Sequence, residues 1–240
     1  MLRAALLLLS AGAALFHLYS AGVAPFTALV QRPVHLAFMA TLGFLGVGVT
    51  KLKGEDEPRR PSVLLTTLLI AAAVASCLYL VTQHEALVRR AGNPTVLDLA
   101  GGLLALGVVL ELARRTTGWG LVAVAILALI YAGAGPWLPG ILAHRGYGFT
   151  RLMEHLYLST EGIWGVPLGV SADFVYLFIL FGALLEMAGG GALLIGLADR
   201  VAGGTRGGPA KTAAVASALM GSLSGSAVAN VVTTGTFTIP

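Results

Sequence analysis

The sequence predicts an all-α polytopic membrane protein, with six transmembrane helices, a broken re-entrant helical hairpin and a cytoplasmic N-terminus. Three observations lead there. Only 11% of the 240 residues are charged and 57% are hydrophobic, whereas soluble domains carry about a quarter charged residues. The apolar residues fall into runs of about 20, the helix length that crosses the hydrocarbon of a bilayer. The last stretch, Thr212 to Pro240, carries no charge yet is rich in glycine and hydroxyl residues.

The first predicted span runs from Ala4 to Val23 and ends at Pro25. Its uncharged run continues to Val30, longer than a signal-peptide core, so it reads as a retained span. The second covers Pro33 to Thr50 and the third Ser62 to Gln83. The fourth, Val96 to Arg115, opens on Thr95 and Asp98 spaced as a capping box after Pro94. Asp98 suits the positive helix start, and Arg114 and Arg115 suit its end. Glu111 is one turn from Arg115 and reads as its salt-bridge partner. The fifth span, Trp119 to Leu138, places two indoles 18 residues apart, about 27 Å of helix, one at each interface. The sixth, Ala172 to Ala188, is stopped by Gly189, Gly190 and Gly191.

Orientation follows from the basic residues between spans. One side collects Arg3, Lys51, Lys53, Arg59, Arg60, Arg114, Arg115, Arg200, Arg206 and Lys211. The other has Arg32, Arg89, Arg90, Arg145 and Arg151. The richer side is assigned to the cytoplasm. Basic residues dispersed between apolar runs also argue against a nucleic-acid partner and for membrane lipids. Cys77 is the single cysteine, so no intrachain disulfide exists; within an apolar run it reads as a buried, inert thiol.

Two stretches are not spans. In Gly146–Gly169, Leu152, Met153, Leu156 and Tyr157 recur at helical spacing beside Arg151, Glu154 and His155, which predicts a short helix lying at the membrane interface. His155 reads as a solvated interfacial histidine. After the sixth span, Leu193, Leu194, Leu197 and Val201 form an apolar face with Asp199 and Arg200 opposite, predicting an amphipathic cytoplasmic connector.

The segment MGSLSGSAVANVVTTGTFT packs small and hydroxyl residues into the middle of an apolar stretch. In hydrocarbon a broken helix is tolerated only within protein or around a water-filled cavity. Such a break frees carbonyls which, with the hydroxyls of Ser222, Ser224, Ser226, Thr233 and Thr234, can coordinate a hard cation such as sodium. Amides of a half-helix starting near Ala227 can receive a carboxylate, and Asn230 offers both a donor and an acceptor. Gly221 and Gly225 are also a GxxxG pair of the kind that lets membrane helices pack closely. Spacing alone leaves the packing and ion-site readings open.

The string RGGPAKTAAVASALMGSLSGSAVANVVTTGTFTIP, from Arg206, resembles the fused permeases of the TRAP transporter family, in the TAXI-type branch where small and large membrane subunits form one chain. The likeness extends through Leu158–Glu186 and, more loosely, Arg90–Trp119 and Tyr19–Phe38. The resemblance implies a sodium-coupled importer of small organic anions (carboxylates) in the bacterial inner membrane, working with a periplasmic TAXI-type substrate-binding protein and without a cofactor. Residues 1–116 would be a small-subunit-like four-helix scaffold, and 117–240 the start of the large transport subunit. By the same resemblance Gly221, Ser222, Ser224, Gly225, Ser226 and Asn230 would line the first sodium site and the substrate cavity, with Thr233 and Thr234 beside them. Transport would be elevator-like.

Family members continue beyond the equivalent of Pro240, and sites of this kind lie between two repeats. The 240-residue chain is therefore expected not to transport alone. The same residues are compatible with two other functions, a divalent-anion sodium symporter that needs no binding protein and a non-transporting scaffold fragment. An intramembrane serine hydrolase is disfavoured, because no serine stands in a GxSxG setting and the five histidines all lie far upstream.

Overall fold

A computed structural model describes residues 2–46 and 63–223, and every regular element among them is helical. In chain order these are α1 (Leu2–Gly22), α2 (Ala28–Phe44), α3 (Val63–Arg89), α4 (Val96–Thr117) and α5 (Trp119–Ala134). They are followed by α6 (Phe149–Met153), which continues as a π-helical turn Glu154–Leu158, and α7 (Val166–Val170), which continues as a π-helical turn Ser171–Val175. Last come α8 (Tyr176–Met187), α9 (Gly190–Ala202) and α10 (Gly208–Leu223).

Five helical stretches among the described residues are long and apolar enough to cross a bilayer: Arg3–Gly22, Val63–Arg89, Val96–Thr117, Trp119–Trp137 and Val166–Met187. The chain is thus an all-α polytopic membrane protein. The remaining expected span is α2, with 17 residues; residues 47–50 of that expectation lie outside the described residues. Its start moves forward from Pro33 to Ala28, because Thr27 is the last extended residue and Pro33 is taken inside the helix. Proline removes one intrahelical hydrogen bond, a loss that membrane helices tolerate when neighbours re-satisfy the freed carbonyl. The third span runs on to Arg89, ending with an exposed Glu85–Arg89 pair at 3.5 Å. The sixth begins at Val166, where Pro167 occupies the first turn and needs no donor there.

The chain divides into two compact units, Met1–Ala172 and Asp173–Pro240. In the first, α2, α3 and α4 share a core. Leu36 and Ala40 from α2, Cys77 and Leu80 from α3, and Ala105 and Val108 from α4 are all buried. Cys77 is a free, buried thiol, as expected. Small residues allow the helices to approach: a side chain at Gly43 would meet Leu112 at 2.9 Å. The capping box at the start of α4 is present in both directions. Glu111 pairs with Arg115 at 2.8 Å, as expected, and with Arg114 at 2.7 Å. Both Trp119 and Trp137 are exposed at the two ends of their span.

The stretch expected to lie on the interface does something different. Arg151 and His155 remain exposed, but Met153, Tyr157 and Trp164 are fully buried. The reason is a slot on α4 at Gly101 and Gly102. A Cβ at either position would come within 3.0–3.3 Å of Tyr157 or Met153 atoms, so any larger residue would force the ring or the thioether to shift. The Tyr157 hydroxyl donates to the Ser76 carbonyl at 2.6 Å, and the Trp164 indole donates to the Tyr157 carbonyl at 2.6 Å. Burial pushes the Tyr157 phenol pKa up, so it stays a donor.

In the second unit α9 and α10 run antiparallel: Gly191 faces Met220, while Asp199 accepts a hydrogen bond from Thr212 at 3.4 Å. The expected amphipathic connector is present as α9. Leu193, Leu197 and Val201 are exposed, whereas Ala198 and Ala202 are buried with Thr212, Ala213, Ala216 and Met220. Small residues, which let backbones come close, make the seam.

Candidate functional site

The residues singled out for ion and substrate binding begin at the end of α10. Pro209 follows the left-handed Gly207, whose φ of +74° suits glycine alone, and α10 then runs without a break to Leu223. Across the turn into it, the Lys211 ammonium donates to the Thr205 hydroxyl at 3.2 Å, and that hydroxyl donates to the Ala202 carbonyl at 2.8 Å. Of the candidates, Gly221 is exposed on the last turn of α10 and Ser222 belongs to the same helix. Ser224, Gly225, Ser226, Asn230, Thr233 and Thr234 lie outside the described residues, as does the expected helix break.

The first unit contains polar groups that the sequence reading did not bring together. The His17 ring accepts or donates through both nitrogens: Nδ1 lies 2.7 Å from the Ala13 carbonyl and Nε2 lies 2.8 Å from His35 Nδ1. A carbonyl only accepts, so His17 Nδ1 carries a proton. With both rings neutral, His35 Nδ1 donates to His17 and His35 Nε2 accepts from the Ser171 hydroxyl at 3.1 Å. One turn away the Ser20 hydroxyl donates to Gln31 Oε1 at 2.5 Å. This cluster ties α1, α2 and the start of the second π-helical turn together. A signal for it existed: 17 and 35, and 20 and 31, are nearly equidistant from the turn at Pro25, so an antiparallel hairpin must pair them.

The sequence places Arg32 among the basic residues between spans. Its guanidinium instead donates to the Trp164 carbonyl at 2.5 Å, in space that a side chain at Gly169 would occupy.

A third group surrounds Asp98, which is fully buried. Beyond its capping bonds to Thr95, it accepts from the Tyr79 hydroxyl at 2.6 Å and from Arg90 at 2.7 Å. That bond raises the Arg90 pKa further. Next to this pair opens a cleft of about 590 Å³, bounded by the end of α3, the entry to α4 and the π-helical turn Glu154–Leu158. Among the described residues no group of three or more histidine, cysteine, aspartate or glutamate side chains is placed to hold a metal ion.

One protein-family comparison gives a match. The family described as "Tripartite ATP-independent periplasmic transporter, DctM component" aligns with residues 104–240, more than half of the chain. The matched region takes in most of α4, the Tyr157–Trp164 segment and the whole α9–α10 hairpin. No curated protein and no solved structure matches the chain.

Proposed function

The chain belongs to the DctM components of the tripartite ATP-independent periplasmic transporters, and from that premise we propose that it serves a sodium-coupled, binding-protein-dependent importer of small organic anions, carboxylates foremost. Family membership and the apolar helices make it a permease component and a multi-pass membrane protein, in a family of transporters rather than enzymes. The finer reading is ours. It places the chain in a bacterial inner membrane, treats residues 1–116 as a small-subunit-like scaffold fused ahead of a large transport subunit, and assigns a TAXI-type periplasmic binding protein as partner.

The observation that carries this reading is the extent of the family match, which continues through the glycine- and serine-rich stretch to residue 240. That stretch has the donor chemistry both solutes need. Hydroxyls of Ser222, Ser224 and Ser226, with carbonyls freed by a helix break, suit a desolvated sodium ion; Gly221 and Gly225 let backbone approach it. Amides beginning near Ala227 and the side chain of Asn230 suit a carboxylate, with Thr233 and Thr234 supplying further oxygens. Sodium and anion bound side by side neutralise each other, which lowers the cost of moving both through a low-dielectric barrier. An elevator-like displacement of the hairpin against the scaffold would then carry them together.

The test is uptake of labelled carboxylates by cells expressing the complete transporter of which this chain is a component, with and without its binding protein, over a range of external sodium. Uptake should require both. Ser226→Ala is expected to raise the half-saturating sodium concentration about tenfold, the scale of one lost bond to a charged group. Uptake independent of the binding protein would favour a stand-alone divalent-anion symporter. An unchanged sodium dependence in Ser226→Ala would return this stretch to a packing role.

A further inference from the structure

We propose that the cleft beside the Arg90–Asp98 pair holds the headgroup of a phospholipid bearing a primary ammonium, with its phosphate on Arg151 and its ammonium on Glu154.

The position of the cleft sets the depth. It lies where α3 ends and α4 begins, the ends of two helices long enough to span, and so at the level of the headgroups. Val88, Val96 and Leu97 around it are at least two-thirds exposed, as side chains facing acyl chains are. Its volume of about 590 Å³ falls in the range of ordinary small-ligand sites.

The lining sets the chemistry. Leu29, Leu87 and Leu158 give the cleft an apolar wall, while Arg151, Glu154, His155, Ser159 and the exposed Glu161 give it a polar one. Arg90 and Asp98 also face it but are committed to each other at 2.7 Å. Arg151 and Glu154 are not: neither has an ion-pair or side-chain hydrogen-bond partner among the described residues, and Glu154 Oε1 is sealed from water without a donor. A buried carboxylate oxygen left without a donor is costly, so this site calls for a cation that donates hydrogen bonds. One turn away stands a free guanidinium, which calls for an anion and favours phosphate. Side chains three residues apart on a helical turn are neighbours, on the scale of the two-carbon bridge between phosphate and ammonium in an ethanolamine headgroup. Choline would satisfy only half of this demand, since a quaternary ammonium has no N–H to give.

The measurement is lipid binding by the purified chain in mild detergent, read by native mass spectrometry against added phosphatidylethanolamine, phosphatidylcholine and phosphatidylglycerol. Ethanolamine lipid should bind about tenfold more tightly than choline lipid. Glu154→Gln should erase that preference while leaving choline-lipid binding unchanged, and Arg151→Ala should weaken both. Because the preference is a ratio within one preparation, partial misfolding of a variant does not counterfeit it. Equal affinity for the two zwitterionic lipids, a preference surviving Glu154→Gln, or tighter binding of phosphatidylglycerol overturns the proposal. Absence of binding by all three overturns it too.

Discussion

The Tyr157 hydroxyl reaches a carbonyl 81 residues away in sequence, at Ser76, and the ring fills the slot above Gly101 and Gly102. Two substitutions separate these contributions. Tyr157→Phe keeps the ring and loses the hydrogen bond, and is expected to cost about 1 kcal/mol. Gly101→Leu drives a side chain into the ring, and is expected to cost about 1–3 kcal/mol or more. Thermal unfolding in detergent should rank them in that order; the reverse order would mean that the bond rather than the fit holds the segment. The apolar periodicity of Leu152 to Tyr157 was legible in the sequence, but its destination was not. A stripe of that kind serves a membrane interface or a protein slot equally well, and the slot is made of two glycines whose only signal is the absence of a side chain. The His17–His35 pair was more accessible. Polar residues mirrored about a proline turn must meet if the two helices pack antiparallel.

At the scale of elements, length and capping were the dependable signals. A run of about 20 apolar residues has one economical structure in a bilayer, and Thr95 with Asp98 fixes the start of α4 almost to the residue. Helix partners were harder to read, because leucines dominate any hydropathy pattern while close contacts between membrane helices are made by small residues. The α9–α10 seam shows this: Ala198 and Ala216 are buried, and Leu193 and Val201 are exposed. Ala216→Leu is accordingly expected to destabilise the second unit by about 1–3 kcal/mol through overpacking. Far-UV circular dichroism in detergent should show unchanged helix content with an earlier melting transition. A midpoint unmoved by the substitution would mean that the seam is loose enough to admit a leucine.

For the molecule as a whole, the sequence yielded fold class and family because both are written in long stretches. The hydropathy runs cover most of the chain, and the glycine- and serine-rich string is specific enough to carry a resemblance that the family match over residues 104–240 now bears out at the level of the transporter family. Sidedness rests on a different physical basis, the excess of basic residues on the cytoplasmic side, and it can be tested on α5, whose two ends should lie on opposite faces of the membrane. Cys77 makes the test clean: it is the single cysteine of the chain and is buried at 2% exposure, so the native protein should resist thiol reagents. Thr117, before α5, and Arg145, after it, are both exposed and accept a cysteine without touching the core. A membrane-impermeant maleimide added to intact spheroplasts should label Arg145→Cys at once, and Thr117→Cys only after permeabilisation. The opposite pattern would invert the whole assignment, placing the Arg151–Glu154 cleft on the cytoplasmic leaflet and the entry to α10 outside. Labelling of both from outside would mean that α5 does not cross, despite its length and its flanking tryptophans.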